Sequence, residues 1–241
     1  METEFIRINK FLSEAGVCSR RGADRLVEEG RVTIDGKVAV LGDQILPGQK
    51  VLVDGREVQR EDEKILLAFH KPKGIVCTAE KREKNNIIDY LHYPKRIYPV
   101  GRLDKDSTGL ILLTNDGELT DRILRGKNNH EKEYLVTVQK PLRPEIVRAM
   151  EQGVPILDTM TRPCQIIQID SHTFRIILTQ GLNRQIRRMC EYFGYKVITL
   201  KRVRVMNIHL GELKEGTWRE ITGNELEELK NALKGQKFYN E

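Results

Sequence analysis

The segment YPVGRLDKDSTGLILLTNDG (residues 98–117) gathers the residues best placed for chemistry. Pro99 and Gly101 stiffen and bend a loop that presents Arg102 and Asp104. The apolar run Leu110, Ile111, Leu112, Leu113 then anchors that loop to a strand. An Asp in such a loop is either a turn former or a carboxylate held out for acid–base or nucleophilic work. The residues alone leave both readings open. A second concentration lies at 184–204, where seven basic residues stand against one acid, Glu191. Ile186, Met189, Cys190 and Phe193 fall at i, i+3, i+4 and i+7, which predicts a helix over 184–193 with Arg184, Arg187 and Arg188 on the opposite side. That side is either solvated surface or a phosphate-contacting rim, and Lys201, Arg202 and Arg204 just beyond it favour the rim.

Other chemistries find little footing. The four cysteines (Cys18, Cys77, Cys164, Cys190) are scattered without a CxxC, and the five histidines form no HExxH or HxH pair. No protein-built metal site and no disulfide framework is expected. There is no Walker A sequence and no GxGxxG, so a nucleotide cofactor has no support. The N-terminus carries acids where a signal peptide needs a basic start, and no apolar run is long enough to cross a bilayer. Cytoplasmic residence without membrane contact is the expectation.

The elements that must position these residues divide the chain in two. With 241 residues, 39% hydrophobic and 32% charged, it is long enough for a small domain joined to a medium one. Residues 1–63 carry ten Lys and Arg against thirteen Asp and Glu; the remainder carries 31 against 22. The acidic stretch at 61–63 marks the expected boundary, giving domains over 1–63 and 64–241. In the first, Ile8, Phe11, Leu12 and Ala15 predict one helix. Ser19 caps a second, with Ala23, Leu26 and Val27 facing the core and Gly30 ending it. Asp35-Gly36 and Asp54-Gly55 predict two hairpins. Lys10, Arg20, Arg21, Arg25 and Arg31 concentrate positive charge in this otherwise acidic part, which suggests a polyanion partner. Beyond residue 64, strands outnumber helices without a regular βαβ rhythm. An α+β fold with a mixed, mainly antiparallel sheet flanked by helices is expected.

GRLDKDSTGLILLTNDG closely resembles the signature of the RsuA/RluB/RluE/RluF family of ribosomal RNA pseudouridine synthases. The resemblance continues through HKPKG (70–74), EKEY (131–134), GLNRQIRRM (181–189) and LKRVRVMNI (200–208). The first 60 residues resemble the S-four-like (alpha-L) RNA-binding domain. They depart from it at Gly22, where an acidic or larger residue is common, so a looser second helix is expected. HEKEYLVTV and GVPILDTMT are most similar to the RluF branch, which acts on 23S rRNA.

The resemblance implies a chemistry. Pseudouridine forms when the C1′–N1 bond breaks, the uracil turns, and C1′ bonds to C5. Nothing is oxidised or lost, so no cofactor is implied. The family's essential Asp falls on Asp104, which either adds covalently to ribose or base or removes the C2′ proton. Its Arg falls on Arg187, beside the carboxylate, and its uracil-stacking Tyr on Tyr134, the implied acceptor or relay of the C5 proton. Leu200 matches the aliphatic residue packed on the uracil, and Arg102, Asn183, Arg184 and Arg188 are the remaining expected substrate contacts. His70, Lys71 and Lys73 resemble a structural motif without a catalytic step. The expected partner is RNA, as 23S rRNA or a ribosomal particle, met by a monomer. Two alternatives stand: the same reaction on tRNA or small-subunit rRNA, and a non-catalytic ribosome-assembly factor. The intact Asp104, Tyr134 and Arg187 set argues against the second.

Overall fold

The computed structural model describes residues 5–60, 63–125 and 129–234. Its contacts divide the chain into two compact units. One runs through Lys64 and includes the stretches Pro94–Arg96 and Asn115–Gly117; the other holds the remainder.

The first unit contains β1 (Ile6–Arg7), α1 (Ile8–Glu14), α2 (Arg20–Glu28), β2 (Val32–Ile34), β3 (Lys37–Val38), β4 (Gln44–Ile45), β5 (Val51–Val53) and β6 (Arg56–Glu57). Ile8 and Leu12 of α1 and Ala23 and Val27 of α2 are buried with Val32, Ile45 and Val51 in one core. The two Asp-Gly pairs close the hairpins β2–β3 and β5–β6 with positive φ at both residues, 48° and 81° in one, 50° and 76° in the other. That is the type I′ geometry the dipeptide favours. Ser19 Oγ accepts from the Gly22 N–H at 3.1 Å. A Cβ on Gly22 would lie 3.2 Å from Cys18 Cβ and 3.3 Å from Ser19 Oγ. Glycine therefore fits this tight cap, and α2 runs through it rather than loosening.

The second unit contains β7 (Leu66–Lys71), α3 (Ile87–Leu91), β8 (Tyr98–Val100), β9 (Thr108–Thr114), α4 (Gly117–Leu124), β10 (Lys132–Val138), α5 (Pro144–Gln152), β11 (Pro155–Ile156), β12 (Thr159–Met160), β13 (Gln165–Gln168), β14 (Thr173–Leu178), α6 (Gln185–Tyr192), β15 (Val197–Val205), β16 (Ile208–His209), β17 (Trp218–Glu220) and α7 (Gly223–Lys234). Nine of these strands form one sheet in the order β13-β14-β10-β15-β9-β7-β17, with β16 on β15 and β8 on β9. Among the described residues its one parallel pair is β15 with β9; the rest are antiparallel, so the sheet is mixed and mainly antiparallel, as expected.

The unbroken apolar runs in β7 and β9 reflect burial on both faces. Leu66, Ala68, Leu110 and Leu112 pack with Ile123 of α4 and Leu229 of α7. Their neighbours Leu67, Phe69, Ile111 and Leu113 pack with Ile87 and Leu91 of α3. A third cluster joins α5 and α6 to β10, β14 and β15.

Residues 98–100, expected as loop, instead form β8 and pair with the end of β9. Pro99 is tolerated there because a strand pairing on one side needs few of its N–H groups. At Met206 a φ of 53° turns β15 into β16.

Candidate active site

Asp104 sits where the chain crosses from β8 to β9. Ser107 N–H donates to the Asp104 carbonyl at 3.0 Å, closing a turn over 104–107. Leu103 is buried beside it, and its N–H donates to Cys77 Sγ at 3.4 Å. Beneath lies Lys71, fully buried, whose Nζ donates to the carbonyls of Pro72 and Ile75 at 2.8 Å and of Lys105 at 3.4 Å. Gly74 N–H reaches the same Lys105 carbonyl at 2.8 Å. The HKPKG turn is thus fastened under the Asp104 turn by one ammonium. Burial pushes Lys71 below the usual lysine range, while Cys77, Asp106 and Asp104 act against that shift.

Two guanidinium groups face the Asp104 carboxylate. Arg184 Nη1 lies 3.6 Å and Arg187 Nε 3.9 Å from Oδ2. The Arg187 side chain is only 11% exposed, so it points inward rather than into the outer face expected of it. Its Nη2 also reaches the Asp106 carbonyl and Ser107 Oγ, each at 3.4 Å. Arg184 is the residue before α6 and holds a left-handed backbone, φ 51° and ψ 34°, so the helix starts one residue later than its sequence pattern suggests. A long side chain in that conformation is uncommon, and such strain persists only where surrounding contacts fix it. Here Gln185 Oε1 accepts from Leu182 N–H at 3.1 Å, and Arg188 donates to the Asn183 carbonyl and side chain at 3.1 and 3.3 Å.

These groups open onto a cavity of about 490 Å³, lined by Arg102, Asp104, Tyr134, Asn183 and Arg184 from the expected set. Arg125, His130, Lys132, Leu182 and Arg202 also line it, with apolar and neutral residues of β8, α4 and β15 among the rest. A smaller hollow of about 110 Å³ shares Asp104, Tyr134 and Arg184 and adds Ser107, Gln185 and Ile186. Tyr134 lies on β10 opposite Arg202 of β15, its ring packed against two apolar clusters.

Other expected residues fall elsewhere. Leu200 is 7% exposed and belongs to the core under α6; it shares the sheet face of Tyr134 but does not line the cavity. Arg188 holds the Asn183 turn instead of reaching the cavity. In the first unit, Arg31 is spent on Asp54, at 2.8 and 2.6 Å, and on Glu29, at 3.0 Å. Lys10 lies 3.8 Å from Glu14. Arg20, Arg21 and Arg25 are exposed on α2. Lys132 escaped sequence reasoning, although the KxY spacing of Lys132 and Tyr134 already put both on one strand face, and Arg202 entered it only as part of the basic rim beyond α6.

Among the described residues, no group of three or more His, Cys, Asp or Glu is arranged to hold a metal ion. No helix among them is long and apolar enough to cross a membrane.

Residues 65–192 match the model of the RNA pseudouridylate synthase family, and residues 6–50 match the S4 domain. The dual-specificity RNA pseudouridine synthase RluF of Salmonella typhi is 53% identical over 231 residues, covering 95% of this chain and 80% of that protein. The ribosomal large subunit pseudouridine synthase B of Bacillus subtilis is 34% identical over 233 residues, covering 93% and 95%. A crystal structure of a pseudouridylate synthase aligns with a TM-score of 0.69 at 30% identity, over 93% of this chain and 99% of that one.

Proposed function

This chain belongs to the RNA pseudouridylate synthase family, and we propose that it isomerises uridine in large-subunit ribosomal RNA with Asp104 as the group that starts the reaction. The observation that carries the reading is a carboxylate, flanked by two guanidinium groups, at the wall of a cavity whose other charged lining residues among those described are Arg102, Arg125, Lys132, Arg184 and Arg202. A cavity of about 490 Å³ is within the range of small-ligand pockets. A uridine reaches it only after leaving its stack.

In this reading Asp104 acts first, whether by covalent addition or by taking the C2′ proton. Arg187 and Arg184 hold it in place and supply positive charge beside it. Tyr134 stacks on the uracil and takes the C5 proton once the new C1′–C5 bond has formed. Arg20, Arg21 and Arg25 of the S4 domain dock the surrounding RNA. The protein works as a cytoplasmic monomer on free rRNA or a ribosomal particle.

The relative named for the ribosomal large subunit supports the rRNA target. Relatives at 52–53% identity carry "dual-specificity" in their names, which favours a second RNA target. Pseudouridine mapping of rRNA and tRNA, from cells with and without this gene, tests both. Uridines that stay unmodified without the gene and regain modification with it identify the targets. An unchanged map would remove the reading.

A further inference from the structure

One end of the active-site cavity holds charge that the isomerisation does not use. Arg202 of β15 is 4% exposed and lines the wall. Its Nε donates to the Leu110 carbonyl at 2.7 Å, and among the described residues no carboxylate pairs with it. Lys132 of β10 lines the same wall, where its Nζ donates to the His130 carbonyl at 3.3 Å. Tyr134 and Arg202 are register partners, and Lys132 lies two residues from Tyr134 on its strand. The pleat therefore puts all three side chains on one face of the sheet.

Two cations on one largely buried wall, with no carboxylate paired to either among the described residues, are an unfavourable arrangement for an empty cavity. Burial, and then Arg202, both push the Lys132 ammonium below its usual range. Asp104 does not relieve this, because Arg184 and Arg187 already flank it. The wall is complementary to an anion that arrives with the substrate, and the anion RNA carries is the phosphodiester. We propose that Arg202 and Lys132 form a backbone-phosphate subsite that seats a linkage adjoining the target uridine. The proposal rests on the reading of the cavity as the uridine site. Lys132 and Arg202 are here positioning residues, apart from the reacting atoms.

The test uses the full chain with Lys132→Gln and Lys132→Arg, and poly(U) as the probe, because every register of that strand offers a uridine with flanking phosphates. Lys132→Gln should bind poly(U) about tenfold more weakly at low salt, as expected for losing one charge-assisted contact. The slope of log affinity against log salt should shrink by about 0.7, the value for one phosphate on a single strand, and Lys132→Arg should restore it. On the mapped RNA substrate, Lys132→Gln should raise KM while kcat at saturation changes little. A neutral methylphosphonate on one side of the target uridine should weaken wild-type binding and leave Lys132→Gln unaffected. An unchanged salt slope in Lys132→Gln, or wild type indifferent to methylphosphonates on both sides, overturns the subsite. Wild type that isomerises no RNA would instead strike the proposed function, and the poly(U) slopes would still decide the subsite.

Discussion

Arg187 does two things with one guanidinium: Nε lies 3.9 Å from Asp104 Oδ2, and Nη2 reaches the Asp106 carbonyl and Ser107 Oγ at 3.4 Å. It both faces the carboxylate and holds the turn that presents it. A lysine at this position keeps the charge but lacks the planar fork to span both. Arg187→Lys should therefore lower kcat by roughly 10- to 100-fold, the scale of an ångström-sized misplacement, with RNA affinity kept within a few-fold. Steady-state kinetics on the mapped substrate checks this; unchanged kcat would show that Asp104 needs only a nearby charge.

The parallel junction of β9 with β15 depends on Gly109. A Cβ there would stand 2.2 Å from the Arg202 carbonyl oxygen and 2.6 Å from its nitrogen, at a φ of +102°. Both contacts are backbone and neither can rotate away. Gly109→Ala should cost at least about 3 kcal/mol, combining overpacking with backbone strain. Denaturant unfolding gives the value, and a loss under about 1 kcal/mol would mean the strands separate easily.

Much of this site was legible in the sequence because its pieces are local. Asp104 sits in a contiguous signature, α6 shows its buried side through Ile186, Met189 and Cys190, and the Asp-Gly pairs dictate their turns. What was missed, or was legible only as part of a basic run, was set by tertiary neighbours. Arg202 alternates in β15 like a solvated residue, and only the pairing with β9 and β10 buries it. Leu200 shares its face and packs in the core that includes α6. Arg31 looked available for phosphate until the β5–β6 turn brought Asp54 beside it. β17 could not be read because Trp218, Arg219 and Glu220 owe their strand to a partner some 150 positions earlier.

In the S4 domain, Arg20, Arg21 and Arg25 stand exposed on α2 while Arg31 and Lys10 lie beside acids. Replacing the three with Gln should reduce the salt slope of RNA binding by up to about three units and weaken affinity. The rate at saturating RNA should hold. A collapse of kcat with an unchanged slope would deny this helix its docking role.

Cys190 is 1% exposed, and burial pushes its thiol from 9.0 up to about 12. Its folded pKa exceeds its unfolded one, so the stability it contributes is complete below pH 9 and is lost as pH rises toward the folded value. Cys190→Ala should lower stability at pH 7 through the lost packing. It should also flatten the alkaline decline above pH 9 by up to about 1.4 kcal/mol per pH unit, one proton's worth. Unfolding curves between pH 8 and 10.5 measure this; parallel declines in both proteins would show that another group governs the alkaline limb.

Asp104→Asn leaves the shape of the site and removes the one carboxylate lining it among the described residues. Pseudouridine formed by this variant, measured on the mapped RNA at saturating substrate beside wild type, addresses the proposed mechanism at its first step. The expected result is native melting, RNA binding close to wild type, and a rate lower by several orders of magnitude, as for loss of an essential group. Turnover within about tenfold of wild type would contradict the assignment, because an amide can neither attack as the carboxylate does nor take the C2′ proton.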